Sequence, residues 1–147
     1  MAAGLVAMSA APAQAQAPAM PTPFPTPAEQ AEYLSFTAPE VVGPYLGRLA
    51  ASATGVSADS LPAPTPLPIV RIAPTPSSGV SGAPAVRVLV IGAQHGTERA
   101  GIEVGLRLAR DLATGRLANL RRSLDVRIVP MANPWGVASR QIGRAHV

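Results

Sequence analysis

Two apolar runs with an amphipathic segment between them constrain the fold of this chain more than any other feature. The runs VRVLVI (Val86–Ile91) and LDVRIV (Leu124–Val129) are rich in β-branched residues, so we expect two buried, central strands. Between them, Gly101–Ala113 has small and apolar residues at helical spacing, which predicts an amphipathic helix. The predicted buried face consists of Ile102, Gly105, Leu106, Ala109 and Leu112. Strand, helix and strand with short connections form a βαβ unit, so the sequence predicts an α/β fold.

The sequence before these runs is punctuated by proline and divides into three segments. Residues 1–19 are small and apolar with Ala-Gln-Ala repeats typical of signal cleavage, so we expect a signal peptide remnant; a disordered tail is the alternative. Residues 20–37 are expected to be a disordered, Pro-rich linker. Residues 38–68 should contain a short helix, Pro44–Ala53, and a Pro-rich connection. A short strand is expected at Ile69–Ile72.

Composition excludes several classes of site. The chain has no cysteine, which rules out disulfides, thiolate metal sites and a cysteine nucleophile, so any metal must use imidazole and carboxylate ligands. All twelve basic residues are arginine and the net charge is +4, but aromatic residues are too few to indicate a nucleic-acid partner. We expect no transmembrane segment, because no stretch approaches about 20 apolar residues.

A histidine and a glutamate stand three residues apart in the loop between the first strand and the helix. His95 and Glu98 would lie at the carboxyl end of a strand, where open α/β sheets bind ligands. Imidazole and carboxylate are two of the three protein ligands that a catalytic zinc ion takes. The residues leave a second interpretation open, in which His95 is an ordinary loop histidine and Glu98 is merely favourable near a helix N-terminus.

The order of these segments resembles the beginning of the zinc carboxypeptidase family, of the carboxypeptidase A type, and of its relatives, the succinylglutamate desuccinylase and aspartoacylase group. The resemblance is carried by VLVIGAQHGTERAG, EVGLRLARDLATG and DVRIVPMANPWG, and it places the N-terminal part of such a domain at residues 69–141. It implies a mixed, mostly parallel sheet flanked by helices, here incomplete and preceded by a disordered N-terminal region.

The resemblance also implies roles for individual residues. His95 and Glu98 would be the first two ligands of Zn²⁺. Arg140 would bind the substrate, although it could equally be a solvated loop arginine. The sequence Asn133-Pro134-Trp135-Gly136 is similar to the family's Asn-Pro-Asp-Gly turn, with tryptophan in place of aspartate, and the family's later Asn-Arg pair is absent. The third ligand, a histidine, and the general-base glutamate would lie beyond residue 147, so we expect no catalytic residue within this chain.

The last six residues raise a separate expectation. IGRAHV, at residues 142–147, is what the start of a widely used sequencing adapter encodes when followed by a stop codon. We therefore expect these residues to be non-native and do not count His146 as a zinc ligand.

The sequence favours the N-terminal fragment of a periplasmic or secreted zinc metallocarboxypeptidase that hydrolyses C-terminal peptide bonds, inactive as a fragment. Two alternatives stay open: a zinc-dependent deacylase of N-acyl amino acids, and a non-catalytic extracytoplasmic binding module. The signal and linker favour the peptidase, because deacylases of small metabolites are usually cytoplasmic. A sheet that ended after two or three strands would leave an apolar face and an edge uncovered.

Overall fold

A computed structural model describes residues 24–75 and 84–140, and the strands within these ranges form one mixed, four-stranded sheet. The strands are β1 (Val56–Leu61), β2 (Leu67–Ile72), β3 (Val86–Ile91) and β4 (Leu124–Val129). Their order across the sheet is β1-β2-β4-β3. The pairs β1–β2 and β2–β4 are antiparallel, whereas β3 and β4 are parallel. The predicted α/β class with a mixed sheet is therefore confirmed.

The predicted βαβ unit is present. The strands β3 and β4 have the predicted bounds, and the helix between them, α3 (Ala100–Ala113), begins one residue earlier than expected. All five residues of the predicted helical face are buried. Except for Gly105, they belong to one core cluster, which also contains Val70, Ile72, Val126 and Ile128 of the sheet and Val42, Tyr45, Leu46 and Leu49 of the helix over residues 39–52.

The expectation that both apolar runs are central, buried strands was right for β4 and wrong for β3. β4 lies between β2 and β3, whereas β3 is at one edge of the sheet that the described strands form. Val86, Leu89 and Ile91 remain 61%, 59% and 46% exposed. Val88 and Val90 pack against the core, but no described element covers the opposite face of β3.

Part of the predicted linker is ordered. The helix α1 (Pro27–Gln30) begins with a capping box, in which Thr26 N donates to Glu29 Oε2 at 2.8 Å and Glu29 N donates to Thr26 Oγ1 at 3.3 Å. The guanidinium of Arg110, which is fully buried on α3, also donates to Glu29. Proline favours the first helical turn, so a Pro-rich stretch with a capping residue can form a short helix.

The segment after it also differs from the prediction. The helix α2 (Pro39–Ser52) begins five residues before the expected Pro44, which lies inside it. The strand β1 was not predicted, because five of its six residues are exposed and its polar sequence lacks the apolar signal of a strand. A last helix, α4 (Pro134–Ser139), follows β4.

Several sequence expectations lie outside the described residues: the signal peptide at 1–19, the first part of the linker and the tail at 142–147. Within 24–75 and 84–140, no helix is both long enough and apolar enough to cross a bilayer.

Two glycines allow α3 to begin directly against the end of β3. A Cβ on Gly101 would lie 2.6 Å from the backbone nitrogen of Ala93, and a Cβ on Gly92 would lie 2.6 Å from the carbonyl oxygens of Gly101 and Pro130. These contacts are with backbone, which cannot rotate away as a side chain can. The close approach of helix and strand therefore requires glycine at both positions.

We predict opposite effects for two alanine substitutions in helices. Gly101→Ala should destabilise the protein by about 1–3 kcal/mol, because the new methyl group overpacks against fixed backbone. Gly47→Ala, in the interior of α2, meets nothing within 4 Å and should stabilise it by about 0.5–1 kcal/mol. Urea unfolding measures both, and destabilisation of equal size at the two positions would contradict the close approach at Gly101.

Candidate metal centre

Two loops lie side by side at one edge of the sheet because β3 and β4 are parallel and end together. Three backbone hydrogen bonds join the loops: Gly92 N to Val129 O at 2.8 Å, Ala132 N to Gly92 O at 2.9 Å, and Asn133 N to Ala93 O at 3.1 Å. Ala93 has a φ of 45°, a left-handed conformation uncommon for alanine, and the chain turns there towards His95. The loop that carries His95 is thus fixed by the residues that follow β4.

His95 and Glu98 contact each other in this loop. His95 Nδ1 and Glu98 Oε1 are 2.9 Å apart, and Glu98 N donates to His95 O at 3.1 Å, which closes a tight turn between them. Their side chains are 46% and 58% exposed. The structure therefore brings the two predicted ligands together in a position that a solvent ion can reach.

The electrostatics of the pair favour an ionised carboxylate. The side-chain hydrogen bond from His95 lowers the pKa of Glu98 below its ordinary value, and the opposing effect of desolvation is smaller. An ionised carboxylate only accepts hydrogen bonds, so the proton between the two groups belongs to Nδ1 of His95. An ion held between Nδ1 and Oε1 would take the place of this proton, and the neutral imidazole would then carry its hydrogen on Nε2.

The donor set suits zinc. Imidazole nitrogen and carboxylate oxygen are both ordinary zinc ligands, and bond lengths of about 2.1 Å at tetrahedral angles put two donors about 3.4 Å apart. The 2.9 Å contact between His95 and Glu98 would have to open by a few tenths of an ångström, which two exposed side chains allow. Among the residues that the structure describes, no group of three potential ligands comes together. The described residues thus bring two potential metal ligands together.

The structure places Arg140 at the C-terminal end of α4. It caps the C-terminus of α4 with a left-handed backbone, φ 55° and ψ 35°, and its side chain is exposed. The side chain that contacts the carboxylate of Glu98 is that of His95. The structure therefore does not bring Arg140 into contact with the two candidate ligands, and its substrate-binding role stays a prediction. His146 lies outside the described residues.

The sequence placed Asn133 in a turn but did not indicate its contact with the loop that carries His95. Asn133 is 7% exposed, and its side chain accepts a hydrogen bond from Gly136 N at 2.8 Å as the N-cap of α4. The same side chain donates from Nδ2 to Gln94 O at 3.3 Å, next to His95. The Asn-Pro pair signals the helix start, but no sequence pattern signals the contact with Gln94.

Comparison with known protein families identifies one family. The sequence pattern of the family described as zinc carboxypeptidase matches residues 65–144, more than half of the chain. No curated protein matches the chain.

Solved structures give the same fold. A metallo-carboxypeptidase from Burkholderia cenocepacia is 25% identical, with a TM-score of 0.52, over 66% of this chain and 27% of that one. A candidate carboxypeptidase from Burkholderia mallei is 19% identical, with a TM-score of 0.51, over 67% and 27%. An aspartoacylase family protein from Mesorhizobium loti is 24% identical, with a TM-score of 0.47, over 62% and 27%. This chain therefore spans about a quarter of the length of each of these proteins.

Removing the imidazole should change the acidity of its partner. In His95→Ala, the pKa of Glu98 should rise back towards the ordinary range of a glutamate, because the hydrogen bond that lowers it is lost. A carbon NMR titration of the glutamate carboxyl groups measures this. Gln94→Ala is the matched control, since its exposed side chain is removed while its carbonyl group is kept. An unchanged Glu98 pKa in His95→Ala would show that the two side chains do not contact each other in solution.

Proposed function

Since the chain belongs to the zinc carboxypeptidase family, we propose that it is the N-terminal part of an exported metallocarboxypeptidase that removes C-terminal residues from peptides. The observation that carries the proposal is the contact between His95 and Glu98 at the carboxyl edge of the βαβ unit. An isolated His-x-x-Glu sequence is common, but its placement between a parallel strand and the following helix is where α/β folds bind ligands.

His95 and Glu98 would hold the zinc ion. When bound, zinc polarises a substrate carbonyl and lowers the pKa of a bound water to about 7, which makes hydrolysis feasible at neutral pH. The chain itself fixes the position of the two ligands. The loop is pinned between the glycine contacts of α3 and the backbone hydrogen bonds to residues 132 and 133, so both donors are held at one place. Their exposure of about half leaves room for a substrate.

Arg140 is proposed to bind the substrate carboxylate. A guanidinium offers two parallel hydrogen bonds to a carboxylate, the group that identifies the C-terminus of a peptide. In support, the N-cap of α4 is Asn133, beside the His95 loop, and its C-cap is Arg140. A helix of six residues spans only about 9 Å, so Arg140 lies only a short helix away from Asn133.

The remaining parts of the site are proposed to lie in sequence that follows this chain. The chain covers 27% of the metallo-carboxypeptidase from Burkholderia cenocepacia. β3 is an edge strand with three exposed apolar residues, Val86, Leu89 and Ile91. Proteins usually cover such an edge, which supports the proposal that further structure packs there. Export is proposed from residues 1–19, on their sequence alone.

Zinc binding tests the proposal directly. The chain should bind zinc, and Glu98→Gln and His95→Asn should each weaken zinc binding by more than about 10-fold. Loss of a residue that only hydrogen-bonds to a zinc ligand already weakens binding by about that factor, so loss of a ligand should cost more. Glu32→Gln, which removes an exposed carboxylate elsewhere, is the control and should bind zinc as the wild type does. A competition titration with a zinc chelator measures all four proteins. Equal affinity in all of them would contradict the assignment of the ligands.

A second arm tests the substrate. The full-length protein, which includes the sequence proposed to follow this chain, should release the C-terminal residue of a peptide and leave an N-acyl amino acid intact. The opposite preference would favour the deacylase, and tight zinc binding without hydrolysis of either substrate would favour a binding module.

A further inference from the structure

The side-chain amide of Asn133 joins the two loops of the candidate metal centre. Its oxygen accepts from Gly136 N at 2.8 Å, and its nitrogen donates to Gln94 O at 3.3 Å. Chemistry fixes this orientation, because a backbone N–H needs an acceptor and a carbonyl oxygen needs a donor. One buried amide therefore hydrogen-bonds both within its own turn and to Gln94, which lies 39 residues before Asn133 in sequence.

The turn is built around this side chain. A Cβ on Gly136 would lie 2.5 Å from Asn133 Nδ2 and 2.9 Å from Oδ1, so only glycine leaves room for the amide there. The backbone of Asn133 also donates to Ala93 O at 3.1 Å. Residues 93 and 94, which directly precede His95, are thus both hydrogen-bonded to Asn133.

We propose that Asn133 is a positioning residue for His95, an inference that rests on the proposed zinc site. By holding the carbonyl group of Gln94, the amide sets the peptide plane from which His95 departs and so directs the imidazole towards Glu98. A loop free to rotate at Gln94 would have to be ordered each time an ion bound, and that entropy would be lost from the affinity. Hydrogen bonds that orient metal ligands commonly raise metal affinity about 10–100-fold.

Two substitutions separate positioning from helix capping. Asn133→Asp and Asn133→Ser both keep an oxygen that can accept from Gly136 N, as aspartate and serine are good N-caps. Neither keeps the donor to Gln94 O, since an ionised aspartate only accepts and serine is shorter. Both variants should therefore stay folded while the loop before His95 loses its side-chain tether.

The measurements are the zinc dissociation constant, the thermal midpoint and the absorption spectrum of the Co²⁺-loaded chain. Trp135, the only tryptophan, lies in α4 beside Asn133 and reports by its emission whether the turn is intact. We expect zinc binding about 10-fold weaker in both variants and a changed cobalt spectrum, with the emission and thermal midpoint close to wild type.

Several results would overturn the inference. Wild-type zinc affinity in either folded variant would show that the amide does not position His95. A loss of affinity that only follows a loss of folded protein would assign Asn133 a purely structural role. If the wild-type chain itself binds no zinc, the proposed function fails as well, which distinguishes that failure from the failure of this inference alone.

Discussion

The parallel pairing of β3 and β4 is the interaction on which the candidate site depends. The pairing continues one residue past the end of β3, where Gly92 N donates to Val129 O at 2.8 Å. The segments that follow the two strands therefore leave the sheet at the same edge. The connection must then return through α3, and the 2.6 Å approach of Gly101 to Ala93 lets the helix begin at once. The loop between Gly92 and Gly101 is therefore short. Within it, His95 and Glu98 lie in one tight turn.

The position of α3 is secured by the N-terminal segment as well as by the core. Glu103 accepts from Thr37 N at 2.6 Å and from Thr37 Oγ1 at 2.8 Å. Further along the helix, Arg110 is fully buried and donates to Glu29 and to Asp111. A buried arginine that lost its carboxylate partners would be strongly destabilising, so its pair with Glu29, together with the hydrogen bonds between Thr37 and Glu103, fixes the segment before α2 onto the helix that follows the site. Residues distant in sequence thus hold α3, the helix that follows the candidate site, in place.

Local signals made the βαβ unit predictable, and non-local pairing made the rest difficult. The strands β3 and β4 and the face of α3 follow from apolar runs and helical spacing, which are written in neighbouring residues. The edge position of β3 depends on which strands pair with it, which no local pattern records. The same division holds at the site: the His95–Glu98 contact spans three residues and could be predicted, whereas the Asn133–Gln94 contact spans 39 and could not.

Zinc-edge X-ray absorption of the zinc-loaded chain tests the central claim, that His95 and Glu98 bind the ion together. We expect nitrogen and oxygen ligands at about 2.0–2.1 Å with the outer scattering of an imidazole ring, and a clear loss of that imidazole signal in His95→Asn. A shell of oxygen atoms alone, or an imidazole signal that His95→Asn leaves unchanged, would contradict it.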